Sequence, residues 1–205
     1  MSKVRSALES PWRLLNEARR LLFHPFFYIV SRAFGLELQW NTRLYGLPRI
    51  QRYFGSKIVL GENATLRSWA SSNPLTPHNP VLLSTRTSEA EILIGPRCGM
   101  TGAVIVSEER ITIGADVYIG ANVIITDTDF HPLHPIERNQ DPSGGRHSPV
   151  SIGDSVFIGM QSLILKGVSI GNGAVIGAGS VVTRDIPAMS IAAGNPAVVL
   201  RKIEQ

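Results

Sequence analysis

Aliphatic residues return every six positions through much of this chain, several of them followed by glycine, and few folds accommodate that period. Ile152-Gly153, Ile158-Gly159, Ile170-Gly171 and Ile176-Gly177 share one phase, which Ile164 and Val182 continue without the glycine. A second run holds Ile113-Gly114, Ile119-Gly120 and Ile125, and a third Ile94-Gly95, Met100 and Val106. A fourth is Phe54-Gly55, Leu60-Gly61 and Leu66. Two positions earlier sits another small or apolar residue, as at Ile111, Val117, Val123, Val150, Val156, Val168 and Ala174. An α-helix repeats its apolar face every three or four residues, and a strand every two. A period of six fits a short strand plus a tight corner. Three such units close a triangular coil, and stacked coils bury the aliphatics in a central column. Glycine then marks corners where a side chain would be crowded or φ unusual. The class is all-β, a parallel β-helix; a β-sandwich would space its turns more widely.

The array breaks around Trp69 to Val81, slips by one residue near Ser107 to Arg110, and breaks longest from His131 to Pro149. Positions 119, 125 and 131 stay six apart, so His131 stands where a coil hands over to a loop, and loops on rigid scaffolds tend to carry function. Residues 54–203 form the β-helix with its loop at 131–149, and residues 1–53 a separate helical, basic segment. Leu8, Trp12, Leu15, Ala18, Leu22 and Phe26 fall at helical spacing after a Ser10-Pro11 start signal. A helix over about 11–23 and a second apolar piece to Phe34 are expected to pack across the end of the solenoid.

Charge follows the same division. Through Lys57 there are ten Lys/Arg against three Glu, a net of +7, whereas the remainder carries ten basic and thirteen acidic residues. With no helix-turn-helix, zinc-knuckle or RNP pattern, nucleic acid is not expected as a partner. The apolar stretch Leu21 to Val30 falls short of the about 20 residues that a membrane span needs. A cytoplasmic protein is expected; capping of the coil by the first segment competes with peripheral contact at the inner face of a membrane. The single cysteine, Cys98, excludes an internal disulfide and reads as a small buried hydrophobe.

The array ends in Val181-Val182-Thr183-Arg184-Asp185-Ile186-Pro187 and Ala193-Gly194-Asn195-Pro196-Ala197. In this it resembles the hexapeptide-repeat acyltransferase family, most of all the maltose/galactoside O-acetyltransferase branch and the polysaccharide O-acetyltransferases near it. The likeness covers about residues 90–203, and more loosely from 54. It implies a left-handed coil, a homotrimer, and acetyl transfer from acetyl-CoA, the co-substrate, to a saccharide hydroxyl with no metal required. The donor's pantetheine arm would lie between subunits. By position its contacts fall on Met160, Ala178 and Thr183, with Arg184 near the anionic nucleotide end. Met160 stands where a small polar residue is usual, Phe157 where Trp is, and Arg184 where Lys is common. The acceptor-binding Asn of the branch falls near Thr101.

Asp127-Thr128-Asp129-Phe130-His131-Pro132 and Arg138 resemble the family's His-Pro…Arg loop, whose histidine is the catalytic base. A hydroxyl attacking a thioester needs a base to take its proton, and imidazole, with an unperturbed pKa of about 6.5, is mostly neutral at pH 7. His134 is the rival. Asp127, Asp129 and Glu137 are candidates to orient the ring, and Arg138 to anchor the loop or touch the acceptor. Other readings of such a coil are a γ-type carbonic anhydrase, for which His78, His131, His134 and His147 lack coil spacing, and a non-catalytic trimeric scaffold. Within the enzyme class, N-acetylation of an amino sugar and O-acetylation of serine stay open.

Overall fold

The structure, a computed structural model, describes residues 10–204; Leu8 of the expected helical stripe lies outside them. Helix α1 spans Pro11–Ala33. The chain then visits three sheets in strict rotation. The first stacks β1 (Leu36–Glu37), β4 (Lys57–Leu60), β7 (Glu91–Ile94), β10 (Arg110–Ile113), β13 (Val150–Ile152) and β16 (Ser169–Ile170). The second holds β2 (Arg43–Tyr45), β5 (Thr65–Arg67), β8 (Gly99–Thr101), β11 (Tyr118–Ala121), β14 (Phe157–Ile158) and β17 (Val175–Ile176). The third holds β3 (Arg49–Gln51), β6 (Leu82–Thr85), β9 (Val104–Ser107), β12 (Ile124–Thr126), β15 (Leu163–Ile164) and β18 (Val181–Val182). Six coils result, every strand parallel to those above and below it. After β18 the chain adds β19 (Ser190–Gly194) to the second sheet and folds β20 (Ala197–Lys202) back on it antiparallel.

Register explains the six-residue period. Leu60, Ile94, Ile113, Ile152 and Ile170 lie over one another in the first sheet. Leu44, Leu66, Met100, Ile119, Ile158 and Ile176 do so in the second. Both ladders are buried, as are the residues two positions earlier, from Ile111 to Ala174. The glycines after the aliphatics answer to crowding. A Cβ on Gly95 would lie 2.5 Å from the Gly114 carbonyl oxygen of the next coil, and one on Gly159 2.4 Å from the Ala178 nitrogen. Left-handed φ occurs two residues further on, at Arg97, Asp116, Ser155 and Gln161.

Three expectations need correction. The sheets begin at Leu36, ahead of the boundary placed at residue 54, because β1–β3 close a full coil whose short strands lack the aliphatic-glycine mark. Phe54 is 90% exposed and outside the column, since it precedes a turn at Gly55 with φ +89°. In the third run the column residue is Ile105 instead of Val106: Ile105 pairs with Ile125, and Gly120 is an extra residue in β11, where Ile119 pairs with Met100 but Ala121 with Thr101. Met100 and Ile105 are then five positions apart and Ile105 and Ile113 eight, so the turn at Ser107 to Arg110 carries a departure from the period as well.

Helix α1 corrects a fourth. It runs unbroken through Pro25 and buries Asn16, His24, Phe27 and Ser31 against the first coil. The Asn16 amide donates to the Ser71 carbonyl at 2.6 Å, and His24 Nε2 meets the Trp40 carbonyl at 2.9 Å. Burial disfavours the Glu17 carboxylate, but the Tyr45 hydroxyl and Arg20 outweigh it and hold its pKa below the ordinary value. The stripe of Leu15, Leu22 and Phe26, expected to face the solenoid, is turned to solvent. The face that meets the coil combines these polar partners with Phe27 on Trp69 and Tyr28 on Trp40, where the apolar stripe suggested the opposite side. Among the described residues no helix is long and apolar enough to cross a membrane.

Candidate active site

The longest interruption leaves the third-to-first corner after β12 and carries a short helix, α2 (Pro135–Gln140). Its two legs zip together before the chain rejoins β13. The Asp129 N–H donates to the Arg146 carbonyl at 2.9 Å, the Ser148 N–H to the Asp127 carbonyl at 2.8 Å, and Thr128 bridges His147. Asp127 roots the loop. Its carboxylate is fully buried and accepts from the Ser107 hydroxyl (2.7 Å) and the N–H groups of Glu108 (2.7 Å) and Glu109 (2.9 Å). Glu108 in turn accepts from Arg86 Nε at 2.9 Å and the Thr128 hydroxyl at 2.8 Å.

Above this root, Phe130 takes a left-handed φ of +63°, rare for a bulky residue, and it aims the next residue. That residue is His131. Its side chain is exposed, its N–H is held by the Asp129 carbonyl at 2.7 Å, and its Nδ1 is hydrogen-bonded to the Pro142 carbonyl. A carbonyl can only accept, so in the neutral ring the proton resides on Nδ1 and the Nε2 lone pair is left for an incoming proton. Of the three acids considered for orienting the ring, Asp127 is committed to the loop root, Asp129 faces Lys166 Nζ at 3.4 Å, and Glu137 sits exposed on α2. The orienting group is a main-chain oxygen, which no residue-type signal announces.

The return leg passes close. A Cβ on Gly145 would fall 2.6 Å from the Phe130 carbonyl carbon and 2.7 Å from the His131 nitrogen, so only glycine fits there without moving His131. The Gly144-Gly145 pair was the available sequence signal for that approach. Arg138 Nη1 donates to the carbonyls of Pro132 and Leu133, each at 3.1 Å, which makes it a brace of the loop. His134 is the N-terminal flank of α2, exposed and making no capping bond. His147 hydrogen-bonds Glu109 at 2.9 Å, and this carboxylate raises its pKa. Cys98 is buried, and burial pushes its thiol up.

The remaining site residues fall into two places. Thr183 and Arg184 follow β18 at the third-to-first corner, the corner that bears the His131 loop, and both are exposed. Met160 and Ala178 lie at the second-to-third corner, where the Gly179 N–H donates to the Met160 carbonyl at 2.8 Å. Thr101 ends β8 near that second corner, buried, accepting from Asn73 Nδ2 at 3.2 Å. It lines a cavity of about 480 Å³ on the second sheet with Arg43, Arg67, Arg97 and Tyr118, a cavity that does not include His131. Within one chain, His131 and Thr101 therefore sit at different corners of the triangle.

Residues 149–184 match the family model described as the hexapeptide repeat of succinyl-transferase. A putative acetyltransferase of Schizosaccharomyces pombe is 50% identical over 94 residues, 46% of this chain and 44% of that protein. The galactoside O-acetyltransferase of Escherichia coli is 43% identical over 100 residues, 48% of this chain and 47% of that protein. The chain thus spans about half the length of the curated relatives it matches. A solved galactoside acetyltransferase in complex with coenzyme A is 25% identical with a TM-score of 0.55, covering 100% of this chain and 86% of that one.

Proposed function

We propose that this chain, which carries the hexapeptide repeat and is similar over that part to acetyltransferases, moves an acetyl group from acetyl-CoA to a saccharide hydroxyl. The observation that carries the proposal is the His131 ring. It is exposed on a braced loop, with Nδ1 engaged by the Pro142 carbonyl and Nε2 left as the base. As the acceptor oxygen attacks the thioester carbon, its O–H bond breaks and the proton passes to Nε2. When the C–S bond then breaks, His131 returns the proton to the departing thiolate. No acyl-enzyme is needed.

In this reading the coils are left-handed and three chains associate, so that the third-to-first corner of one faces the second-to-third corner of the next. Such packing would join His131, Thr183 and Arg184 of one copy to Met160, Ala178 and Thr101 of its neighbour. Arg184, exposed and cationic, suits the phosphates of coenzyme A. Thr101 retains a hydroxyl able to bond a sugar. The test is thiol release from acetyl-CoA across a panel of saccharide acceptors. His131→Ala should lower the rate by at least about a hundredfold with acetyl-CoA binding preserved, and His134→Ala should be far milder. The reverse order of damage would assign the base to His134.

A further inference from the structure

Helix α1 is mounted with its polar side inward. Going round its axis, the residues that meet the coil are Asn16, His24, Phe27 and Ser31, with Glu17 and Arg20 beside them. The opposite side carries Leu15, Leu22, Phe26 and Ile29, flanked by Leu14 and Leu21, and all six are more than half exposed. Leu22 reaches 73%. From Leu14 to Ile29 this apolar strip is about 22 Å long at the helical rise. Monomeric proteins rarely present so continuous a strip to water.

Its borders are basic. Arg19 and Arg32 lie at the edges of the strip, both exposed. The helix's one carboxylate, Glu17, is turned toward the coil and held by Tyr45 and Arg20. The first 57 residues carry a net charge of +7. We propose that the outward face of α1 lies in the headgroup layer of an anionic membrane, parallel to its surface, with Arg19 and Arg32 on lipid phosphates. An apolar strip flanked by exposed arginines, with its one nearby carboxylate already engaged by Arg20 and Tyr45, matches such a surface in both terms: acyl chains below, negative charge at the rim. A second copy of the same face would instead set arginine against arginine. The helix cannot roll to hide the strip, because Asn16 and His24 are each matched to a carbonyl of the coil. The inference is independent of the acetyl-transfer reading.

The test is flotation of the full chain with vesicles of phosphatidylcholine with and without phosphatidylglycerol. The protein should float with the anionic vesicles at low salt, and less as salt rises. Leu22→Glu with Phe26→Glu, two outward positions, should weaken binding by roughly tenfold or more while leaving the melting temperature unchanged. Arg19→Gln and Arg32→Gln should each weaken it by about fivefold and flatten the salt dependence. A wild-type chain that does not float overturns the proposal, as does L22E/F26E floating like wild type. A fall in assembly mass for L22E/F26E without vesicle binding would instead make the face a contact between copies.

Discussion

Gly145→Ala probes the positioning of His131, the proposed base, without touching it. The added Cβ would sit 2.6 Å from the Phe130 carbonyl carbon and 2.7 Å from the His131 nitrogen. Carbon atoms rest at about 3.5 Å or more, so the loop's two legs must part by roughly 0.8–0.9 Å. Both clashing atoms are backbone, and no rotamer can relieve them. The shift falls on the peptide that carries His131, and it also strains the bond from Nδ1 to Pro142. A displacement of about 1 Å in a catalytic group costs on the order of a hundredfold in rate. We expect kcat to fall by about 10- to 100-fold in the thiol-release assay. The KM for acetyl-CoA should hold, since none of the proposed donor contacts, Met160, Ala178, Thr183 and Arg184, lies on the loop itself. Stability should drop by no more than about 1–3 kcal/mol, the usual cost of overpacking. Gly144→Ala is the control, because its Cβ would meet only the movable Asp141 carboxylate oxygen, at 3.0 Å. If Gly145→Ala kept full activity, or if Gly144→Ala were equally damaged, the loop would not hold His131 as described.

Chains carrying His131→Ala mixed with chains carrying Ala178→Trp should recover activity that neither has alone; no recovery in re-formed mixed assemblies would place both groups in one chain's site. The Glu109 carboxylate raises the His147 pKa, so this pair stabilises the loop fully below about pH 6.5 and the gain is lost as pH rises through the folded-state value. By NMR the His147 titration should have its midpoint above the ordinary histidine value of about 6.5 and fall on Glu109→Gln; an unmoved midpoint would remove Glu109 as the cause. Ile125→Ala, fully buried between Ile105 and Ile164, should cost about 2–5 kcal/mol in denaturant unfolding, and a loss below about 1 kcal/mol would refute rigid packing of the column at this coil.

The coils were legible because their cause is local and repeated. Each aliphatic lies over its equivalent one coil away, and each following glycine admits the next coil's backbone, so spacing alone carries the information. The first coil was missed for want of that mark: Leu44 and Ile50 belong to their columns but are followed by Tyr45 and Gln51. The rotation of α1 was misread because amphipathic spacing shows which side is apolar and not which side finds partners. Asn16 and His24 bond carbonyls supplied by Ser71 and Trp40, contacts across the chain that no window contains. In the loop, His131 was marked by phase and motif. Its orienting group was hidden, since a carbonyl of Pro142 leaves no signature in side-chain chemistry.

A stack of parallel coils has a particular hazard at its last turn, where a row of unpaired amides and carbonyls invites another coil of the same kind. The reversed strand at residues 197–202 meets that hazard. Running antiparallel to β19, it turns the growing edge of the second sheet into a hairpin whose register suits no further coil. Its outward positions include Arg201 and Lys202, which repel a like edge. A further parallel coil therefore finds no matching edge at the end of this sheet.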